Sequence, residues 1–161
     1  MSPVIQLFRR LNESSAYCFN VESSRTLNDQ ELMTLRLILA EGFLPRTVTL
    51  EPVLPDEAVV VEVGPRLNLA TAWSSNLVSI CQATGLDIIS RVERSRQYLV
   101  PDGEDPDEFA AAKHDRMTEC RYPEPLRSFE TGVDPEPVYE VDLIGGGPEV
   151  LDTIPGISMD K

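Results

Sequence analysis

The sequence predicts an α+β fold built as one domain. Its 161 residues match the usual size of one domain, about 100–150 residues, with a short tail. Aliphatic and aromatic residues make up 42% of the chain, an ordinary level for a globular protein. Short apolar runs rich in β-branched residues alternate with segments of helical spacing, in the order strand, helix, strand, strand, helix, strand. These observations together predict one mixed α+β core.

Four short segments in the first part of the chain predict strands. Residues 4–8 are an apolar run and residues 17–21 carry aromatic and aliphatic side chains, so a polar turn or loop is expected at residues 9–15. Residues 47–50 predict a short strand, and the Val-rich residues 58–63 predict a central one. Pro and Asp between the last two segments favour a turn, which predicts an antiparallel hairpin.

The first helix is predicted from its ends and from its apolar spacing. Asn28 suits the N-cap because its side chain can accept a hydrogen bond from a free amide of the first turn, and Glu31 completes a capping-box pattern. Gly42 stands where a left-handed C-terminal cap is needed. The predicted apolar face consists of Leu32, Met33, Leu35, Ile38 and Leu39.

A second helix and the last core strand follow a loop. Thr71 or Ser74 is the predicted cap of the helix, and Gly85 is its predicted end. Residues 88–92 and 97–100 combine β-branched and aromatic residues with Arg and Glu, which predicts one strand or a bent pair of strands with a solvated face. The side chains expected on the buried face of the helix are Leu77, Val78, Ile80, Cys81 and Thr84.

This order of elements predicts the ferredoxin-like β-α-β-β-α-β arrangement, in which two helices cover one face of a mainly antiparallel sheet. The opposite face needs a cover, because an exposed apolar sheet face is a liability. The cover is either the strand at residues 4–8 with a later helix, or a second domain or subunit.

The chain changes character after Pro101. Residues 102–108 form an acidic loop, in which Asp105 caps and Pro106 begins a third predicted helix that extends to about Glu119.

The predicted domain ends where prolines begin to accumulate. Residues 1–123 are expected to form the domain, and residues 124–161 an extended Pro- and Gly-rich connector that starts a linker region. Within the connector, residues 138–144 predict a short strand, followed by the three glycines at residues 145–147 and a possible helix at residues 149–154.

Charge and sorting signals disfavour several classes of protein. The 27 acidic and 14 basic residues give a formal net charge of -13, which repels nucleic acid and anionic membranes. No apolar run approaches the roughly 20 residues of a membrane span, and no export signal is visible at the start. Three widely spaced cysteines fit reduced thiols better than a disulfide framework. The sequence therefore predicts a cytoplasmic protein with no nucleic-acid or membrane partner.

No pattern in the sequence predicts a catalytic residue or a metal ligand. The only histidine, His114, cannot be joined to a Ser or Cys nucleophile, and the cysteines lack the spacing of zinc or redox motifs. No Gly-Lys-Ser/Thr follows the glycines at residues 145–147, so a flexible joint is favoured over an anion-binding loop. The acidic side chains of residues 104–108 suit a solvated helix N-terminus.

One loop is the candidate interface or binding site. It joins a buried strand to the N-terminus of a helix and carries the only Trp of the chain. In the structural interpretation Trp73 closes the core and its neighbours cap the helix, whereas in the functional one polar side chains contact a neighbour; both can hold. The candidate residues are Arg66, Asn68, Trp73, Ser74, Ser75 and Asn76.

This loop also carries a resemblance to a known family. The stretch VVEVGPRLNLATAWSSNLVSICQATGL, followed by RVERSRQYLV, resembles the N-terminal, PurS-like domain of large-form phosphoribosylformylglycinamidine synthases. The shared features are the Gly-Pro-Arg loop, the Trp-Ser-Ser-Asn helix start, the Thr-Gly-Leu helix end and the Arg-Val-Glu-Arg strand. The HDRM at residues 114–117 resembles a helix of the family. The resemblance is good over residues 17–117 and thinner to Gly147.

The resemblance implies a cytosolic enzyme of de novo purine synthesis that converts formylglycinamide ribonucleotide, ATP and glutamine into the amidine. It places ATP and Mg²⁺ in a synthetase domain and the Cys and His of a glutaminase further downstream, so this chain holds no cofactor and no catalytic residue. The implied role is to dock these two domains and to help ammonia transfer, with no activity alone. A small-molecule-sensing module and a free-standing PurS-like subunit are the alternatives.

Overall fold

The computed structural model describes residues 4–132 and 140–153. The chain divides into two compact units, of which the first ends at Thr131 and the second begins at Gly132. The predicted domain boundary at residue 123 stays a prediction.

An antiparallel sheet is the centre of the first unit. Its strands are β1 (Val4–Arg10), β2 (Ser15–Ser23), β3 (Val48–Thr49), β4 (Val60–Pro65), β5 (Ile89–Leu99) and β6 (Glu119–Tyr122). The strand order is β3-β1-β2-β5-β4-β6, and each neighbouring pair is antiparallel. The α+β class is confirmed, and the sheet is compatible with the predicted ferredoxin-like arrangement.

Two helices cover one face of this sheet in the predicted order. Helix α1 (Asp29–Leu39) lies between β2 and β3, and helix α2 (Ala72–Ala83) lies between β4 and β5. Leu7 of β1 is opposite Phe19 of β2, and both are buried in one cluster with Leu35 of α1 and Leu77 of α2. We call this side the helical face.

Helix α3 (Pro106–Lys113) packs on the same helical face. Arg94 is opposite Phe19, and Tyr98 is opposite Val61, so side-chain alternation along β5 puts Val61 on this face. Val61 is buried in a cluster with Ala110 of α3. The alternative in which a later helix covers the other face is therefore wrong.

The starts of the helices confirm the predicted caps. The Asn28 side chain accepts from the Glu31 amide at 2.9 Å, and the Glu31 carboxylate accepts from the Asn28 amide at 2.9 Å, which completes the capping box. Thr71, and not Ser74, caps α2. Asp105 caps α3. Each cap acts within four residues, so the sequence alone reveals it.

The loop predicted at residues 9–15 is shorter than expected. β1 continues through Arg10 and β2 begins at Ser15. Arg9 stays in the strand because it pairs with Val48 of β3 and its guanidinium is buried against the end of α1. That environment comes from distant parts of the chain.

The predicted hairpin between residues 47–50 and 58–63 is wrong. β3 pairs with β1, whereas β4 pairs with β5 and β6. Because only a short turn joins β1 and β2, β1 takes the position beside β2, and β3 pairs with its far side. β4 is an interior strand as predicted. Residues 89–92 and 97–99 of these two segments belong to the single strand β5, and not to a bent pair.

The third helix is shorter than predicted. It ends at Lys113, and His114 is its C-cap. Asp115 then accepts from the Met117 amide at 2.9 Å, and Glu119 begins β6. An Asp side chain that bonds the backbone two residues on favours a turn over a helix, so the HDRM segment forms a turn.

In the second unit, the described residues 140–153 form two short elements. They are helix α4 (Leu143–Gly146) and the 3₁₀ turn Pro148–Thr153. The strand predicted at residues 138–144 is wrong for its described part, because the Asp142 side chain accepts from the Gly145 amide at 2.8 Å and caps α4. Residues 138–139 lie outside the described residues, as does residue 154 of the predicted final helix.

Three side chains expected on the buried faces of the helices are exposed. Met33 of α1 is 53% exposed and Ile80 of α2 is 48% exposed, and Thr84 at the end of α2 is exposed as well, whereas Leu35, Leu39 and Leu77 are buried. The sheet covers only a narrow stripe of each helix, so side chains at the margin of the apolar face stay in solvent.

The opposite face of the sheet is polar and buried. Gln6 donates to Asn20 at 2.9 Å, and Asn20 donates to Ser95 at 3.1 Å. The Glu62 carboxylate accepts from Ser95 and, at 2.9 Å, from Gln97. This network joins β1, β2, β5 and β4. Buried polar groups are tolerated because they find such partners.

Segments outside the sheet contribute to the cover of this polar face. Phe129, which follows β6, is buried with its ring 4.3 Å from the Arg91 guanidinium. Leu54, between β3 and β4, is also buried, and Arg10 donates to the carbonyl of the adjacent Val53.

Candidate domain-interface site

The candidate loop between β4 and α2 is held against β5 by one ion pair. Arg91 donates to the carbonyl of Leu67 at 3.0 Å and to that of Leu69, and it pairs with Glu93 at 3.1 Å. Glu93 is fully buried and accepts from the Thr71 amide at 3.1 Å and hydroxyl at 2.8 Å. A carboxylate is favoured there because the first turn of a helix carries partial positive charge. The loop is therefore fixed at both ends.

The outer part of the loop is exposed. The Arg66 amide donates to the Thr118 carbonyl at 3.0 Å, and its side chain donates to the Arg116 carbonyl at 2.5 Å. These bonds tie the loop to the turn before β6. Arg66 and Asn68 are both exposed, and Leu69 between loop and helix is 51% exposed.

The start of α2 divides into buried and exposed side chains. Ser74 is buried, its amide donates to Thr71 at 3.1 Å, and its hydroxyl accepts from the Val92 amide at 3.4 Å. Ser75 is exposed and donates to the Thr71 carbonyl at 3.3 Å. Asn76 is exposed. Ser74 thus serves the contact between α2 and β5, whereas Ser75 and Asn76 face outward.

Trp73 belongs partly to the core and partly to the surface. Its ring stacks on Phe19 with centroids 6.1 Å apart, and it packs against the main apolar cluster while remaining half-buried. The structural interpretation of Trp73 and Ser74 is therefore supported by geometry. Binding by Arg66, Asn68, Ser75 and Asn76 stays a prediction.

An arginine network beside Trp73 was not foreseen from the sequence. Arg9 is buried and donates to the carbonyls of Leu39 at 3.1 Å and Ala40 at 2.9 Å, and to the Glu41 carboxylate at 2.7 Å. A cation is favoured at this helix end because the last carbonyls of α1 carry partial negative charge. The alternation of side chains along β1 could have predicted this position, because it puts Arg9 on the same face of the sheet as Leu7.

Arg94 continues this network on the neighbouring strands. Its guanidinium lies over the rings of Tyr17, at 4.4 Å from the centroid, and Trp73, at 4.9 Å. It also contacts Glu41 at 3.5 Å. The end of α1 and the start of α2 therefore meet above one arginine of β5.

Arg96, two residues further along β5, has a different environment. One terminal nitrogen of its guanidinium lies 2.7 Å from each of the two oxygens of the Glu119 carboxylate of β6. Its side chain is 34% exposed.

The thiols of the described residues are poor nucleophiles at neutral pH. Burial raises the pKa of Cys18, with a further rise from the charge of Glu62, and burial raises the pKa of Cys81 to about 11. Burial also raises the pKa of Cys120. A raised pKa keeps the sulfur protonated and unreactive.

The only histidine is engaged at the end of α3. His114 Nδ1 donates to the Ala110 carbonyl at 2.6 Å, within the last turn of the helix. Within residues 4–132 and 140–153, no three His, Cys, Asp or Glu side chains are arranged to hold a metal ion, and no helix there is long and apolar enough to span a membrane.

These features define the class: an antiparallel α+β domain whose buried ionic groups hold a loop and two helix ends in place. Comparison with known proteins then identifies the family. The family described as "Formylglycinamide ribonucleotide amidotransferase N-terminal" matches residues 16–128. The chain belongs to this family.

Curated relatives agree with this assignment. Over 152 residues the chain is 38% identical to the phosphoribosylformylglycinamidine synthase of Dictyostelium discoideum, covering 86% of this chain and 11% of that protein. It is 45% identical over 147 residues to the "Probable phosphoribosylformylglycinamidine synthase, chloroplastic/mitochondrial" of Arabidopsis thaliana, covering 84% and 10%. The synthase of Homo sapiens is 42% identical over 95 residues, covering 55% and 7%.

The resemblance inferred from the loop and helix motifs is thereby confirmed. The chain spans about a tenth of the length of the first two relatives. It is a small part of such proteins, which is consistent with further domains in the same polypeptide.

Proposed function

We propose that this chain is a non-catalytic assembly domain of a phosphoribosylformylglycinamidine synthase that acts in de novo purine synthesis. The parent enzyme would convert formylglycinamide ribonucleotide, ATP and glutamine into the amidine. The observation that carries the proposal is the family match over residues 16–128, in relatives of which the chain covers only about a tenth.

The role of the domain would be to dock the synthetase and glutaminase parts and to help ammonia pass between them. Its internal chemistry supports a structural role. The buried carboxylates of Glu93 and Glu62 are bound by neighbouring side chains, and the Cys18 thiol is buried and protonated. Groups held in this way stabilise a fold and are poorly suited to acid–base or nucleophilic work.

ATP and Mg²⁺ would bind in the synthetase part. The acidic segment before and within α3 does not fit a magnesium site, because Asp105 caps the helix and Asp107 pairs with Arg121. Magnesium needs carboxylates with free oxygens in octahedral geometry.

The contact surface would be formed by the exposed part of the candidate loop and the start of α2. Arg66, Asn68, Ser75 and Asn76 are exposed there, on a backbone held by Arg91 and its partners. A rigid loop with outward polar side chains loses little entropy when it binds.

The test compares the full-length synthase of the same source with a variant that lacks residues 1–161. Amidine formation is measured once with glutamine and once with ammonium chloride as nitrogen donor. Glutamine-supported activity should fall far more than ammonia-supported activity, because only the former requires transfer between the two parts.

Two results would contradict the proposal. One is full glutamine-supported activity in the shortened enzyme. The other is turnover of the substrate with ATP and ammonia by the isolated chain.

A cytoplasmic location is also proposed, and microscopy of a fluorescent fusion checks it. The name of the Arabidopsis thaliana relative gives chloroplasts and mitochondria as its location instead.

A further inference from the structure

We propose that Arg94, together with Tyr17 and Trp73, is the anchor of a docking surface that binds a carboxylate-bearing segment from the catalytic part of the same enzyme. The inference rests on the assembly role proposed above and names the contact through which it would act.

The first argument is the balance of charge around Arg94. Two guanidinium groups, those of Arg9 and Arg94, share the single carboxylate of Glu41. Arg9 holds it at 2.7 Å, whereas Arg94 reaches it only at 3.5 Å. Among the described residues this is the only acceptor recorded for the Arg94 side chain. A guanidinium has five N–H donors, so Arg94 keeps donors and one positive charge in excess.

The second argument is a comparison with Arg96 on the same strand and the same face. The exposed fractions of the two side chains are similar, 31% for Arg94 and 34% for Arg96. Arg96 has the carboxylate of Glu119 as a close partner, with one nitrogen 2.7 Å from each of its two oxygens. Arg94 therefore differs from its neighbour in sharing its carboxylate with a second arginine, and not in face or exposure.

The third argument is the way in which Arg94 is held. Its guanidinium stacks on the rings of Tyr17 and Trp73, which restricts its rotamers before any partner arrives. An arginine prepared in this way binds a planar carboxylate with two parallel bonds at a reduced entropic cost. Trp, Tyr and Arg are also the residues most enriched at the energetic centres of protein interfaces.

The surroundings suit a protein partner. Phe43, at the end of α1, is 66% exposed, and its ring centroid is 5.3 Å from the Arg9 guanidinium. On α2, Asn76 and Ile80 follow Trp73 at helical spacing, and both are exposed. An arginine with aromatic, amide and aliphatic side chains around it resembles an interface centre with its rim.

The charge selects a carboxylate over a polyanion. The two guanidinium groups of Arg9 and Arg94 and the carboxylate of Glu41 leave one positive charge in excess at this site, which matches a single Asp or Glu side chain. A phosphate dianion would leave uncompensated charge beside Glu41, and the net charge of -13 repels nucleic acid and other polyanions.

The first experiment maps arginine reactivity. The isolated chain and the full-length synthase are treated with phenylglyoxal, and modified peptides are quantified by mass spectrometry. Arg94 should react in the isolated chain and be protected in the full-length enzyme. Arg25, whose side chain is 54% exposed, is the internal control and should react in both. Equal reactivity of Arg94 in the two proteins would overturn the inference.

The second experiment uses variants of the isolated chain, titrated onto the synthase that lacks residues 1–161. Arg94→Gln should weaken binding by about tenfold or more, as expected for the loss of a charged partner in an interface. Arg94→Lys keeps the positive charge but lacks the planar guanidinium, so it should retain only part of the wild-type binding affinity. Arg96→Gln is the matched control and should change thermal stability more than affinity.

The outcomes separate this inference from the assembly role. If the wild-type chain binds and Arg94→Gln binds equally well, the assembly role stands and the docking role of Arg94 is wrong. If both the shortened enzyme works fully and the wild-type chain fails to bind, both proposals are wrong.

Discussion

Replacing Gly64 with alanine tests how tightly β4 and β6 pack on the polar face of the sheet. Gly64 is opposite Cys120 in the β4–β6 pair. A Cβ atom at Gly64 would lie 2.8 Å from the Cβ of Ser95 and 2.9 Å from the ring of Tyr122. Real side chains essentially never approach so closely, so at least one of these neighbours has to move.

Neither neighbour moves freely. Ser95 lies on an interior strand and is buried, and Tyr122 is buried with its hydroxyl donating to the Pro65 carbonyl at 2.5 Å. Overpacking costs about 1–3 kcal/mol, and loss of the tyrosine bond adds about 1 kcal/mol. The expected loss is therefore about 2–4 kcal/mol in the free energy of unfolding, or about 4–16 °C in Tm for a chain of this size.

The assay is urea unfolding followed by far-UV circular dichroism, with calorimetry for Tm. Tyr122→Leu removes the crowding ring and supplies the control. In that background the cost of Gly64→Ala should shrink by about 1 kcal/mol or more, because the two sites are in contact. The reasoning is refuted if Gly64→Ala alone stays within about 0.5 kcal/mol of the wild type, the usual range of a surface substitution.

Three further predictions concern charge and thiol chemistry. Arg9→Met should lower the free energy of unfolding by about 2–4 kcal/mol, because the end of α1 loses a buried cation; urea unfolding checks this, and an unchanged midpoint would contradict it. Arg25 and the Asn28 amide lower the pKa of Glu31 from 4.5 to about 2 in the folded protein. The contribution of Glu31 to stability is therefore complete at pH values above its pKa in the unfolded chain, and it is lost as the pH falls through its pKa in the folded protein. The Tm difference between wild type and Glu31→Gln should accordingly vanish between about pH 4.5 and 2, and a constant difference would argue against the pairing. At pH 8, Cys120 should react with Ellman's reagent before Cys81, whose pKa is about 11 and which is fully buried; faster modification of Cys81 would refute this order.

The candidate site was predictable only in part. The loop and the start of α2 were found because Trp73 and the Ser pair sit at a recognisable strand-to-helix junction. Which of these side chains face outward depends on β5, whose Val92 amide takes Ser74 as its partner. The Arg94 cluster was missed because Tyr17, Glu41 and Trp73 come from three separate elements.

The same distinction explains the errors in the fold. Asp115 ended the third helix through a local turn, but turn and helix compete closely in such a polar segment, and the sequence pattern favoured the helix. The hairpin between β3 and β4 failed because pairing partners are set by the whole sheet, in which β1 occupies the position beside β2.

By itself, the sequence determined the α+β class, the N-terminal caps of the helices, the order of the core elements and the family, whereas the left-handed cap predicted at Gly42 already begins at Glu41. These depend on interactions within a few residues or on motifs that survive in the chain itself. Only the tertiary structure decided which strands are neighbours, that Arg9 closes α1, and that Arg94 shares one carboxylate with Arg9 whereas Arg96 has that of Glu119. The physical reason is that these outcomes depend on contacts between residues far apart in sequence, whose geometry exists only after the sheet has formed.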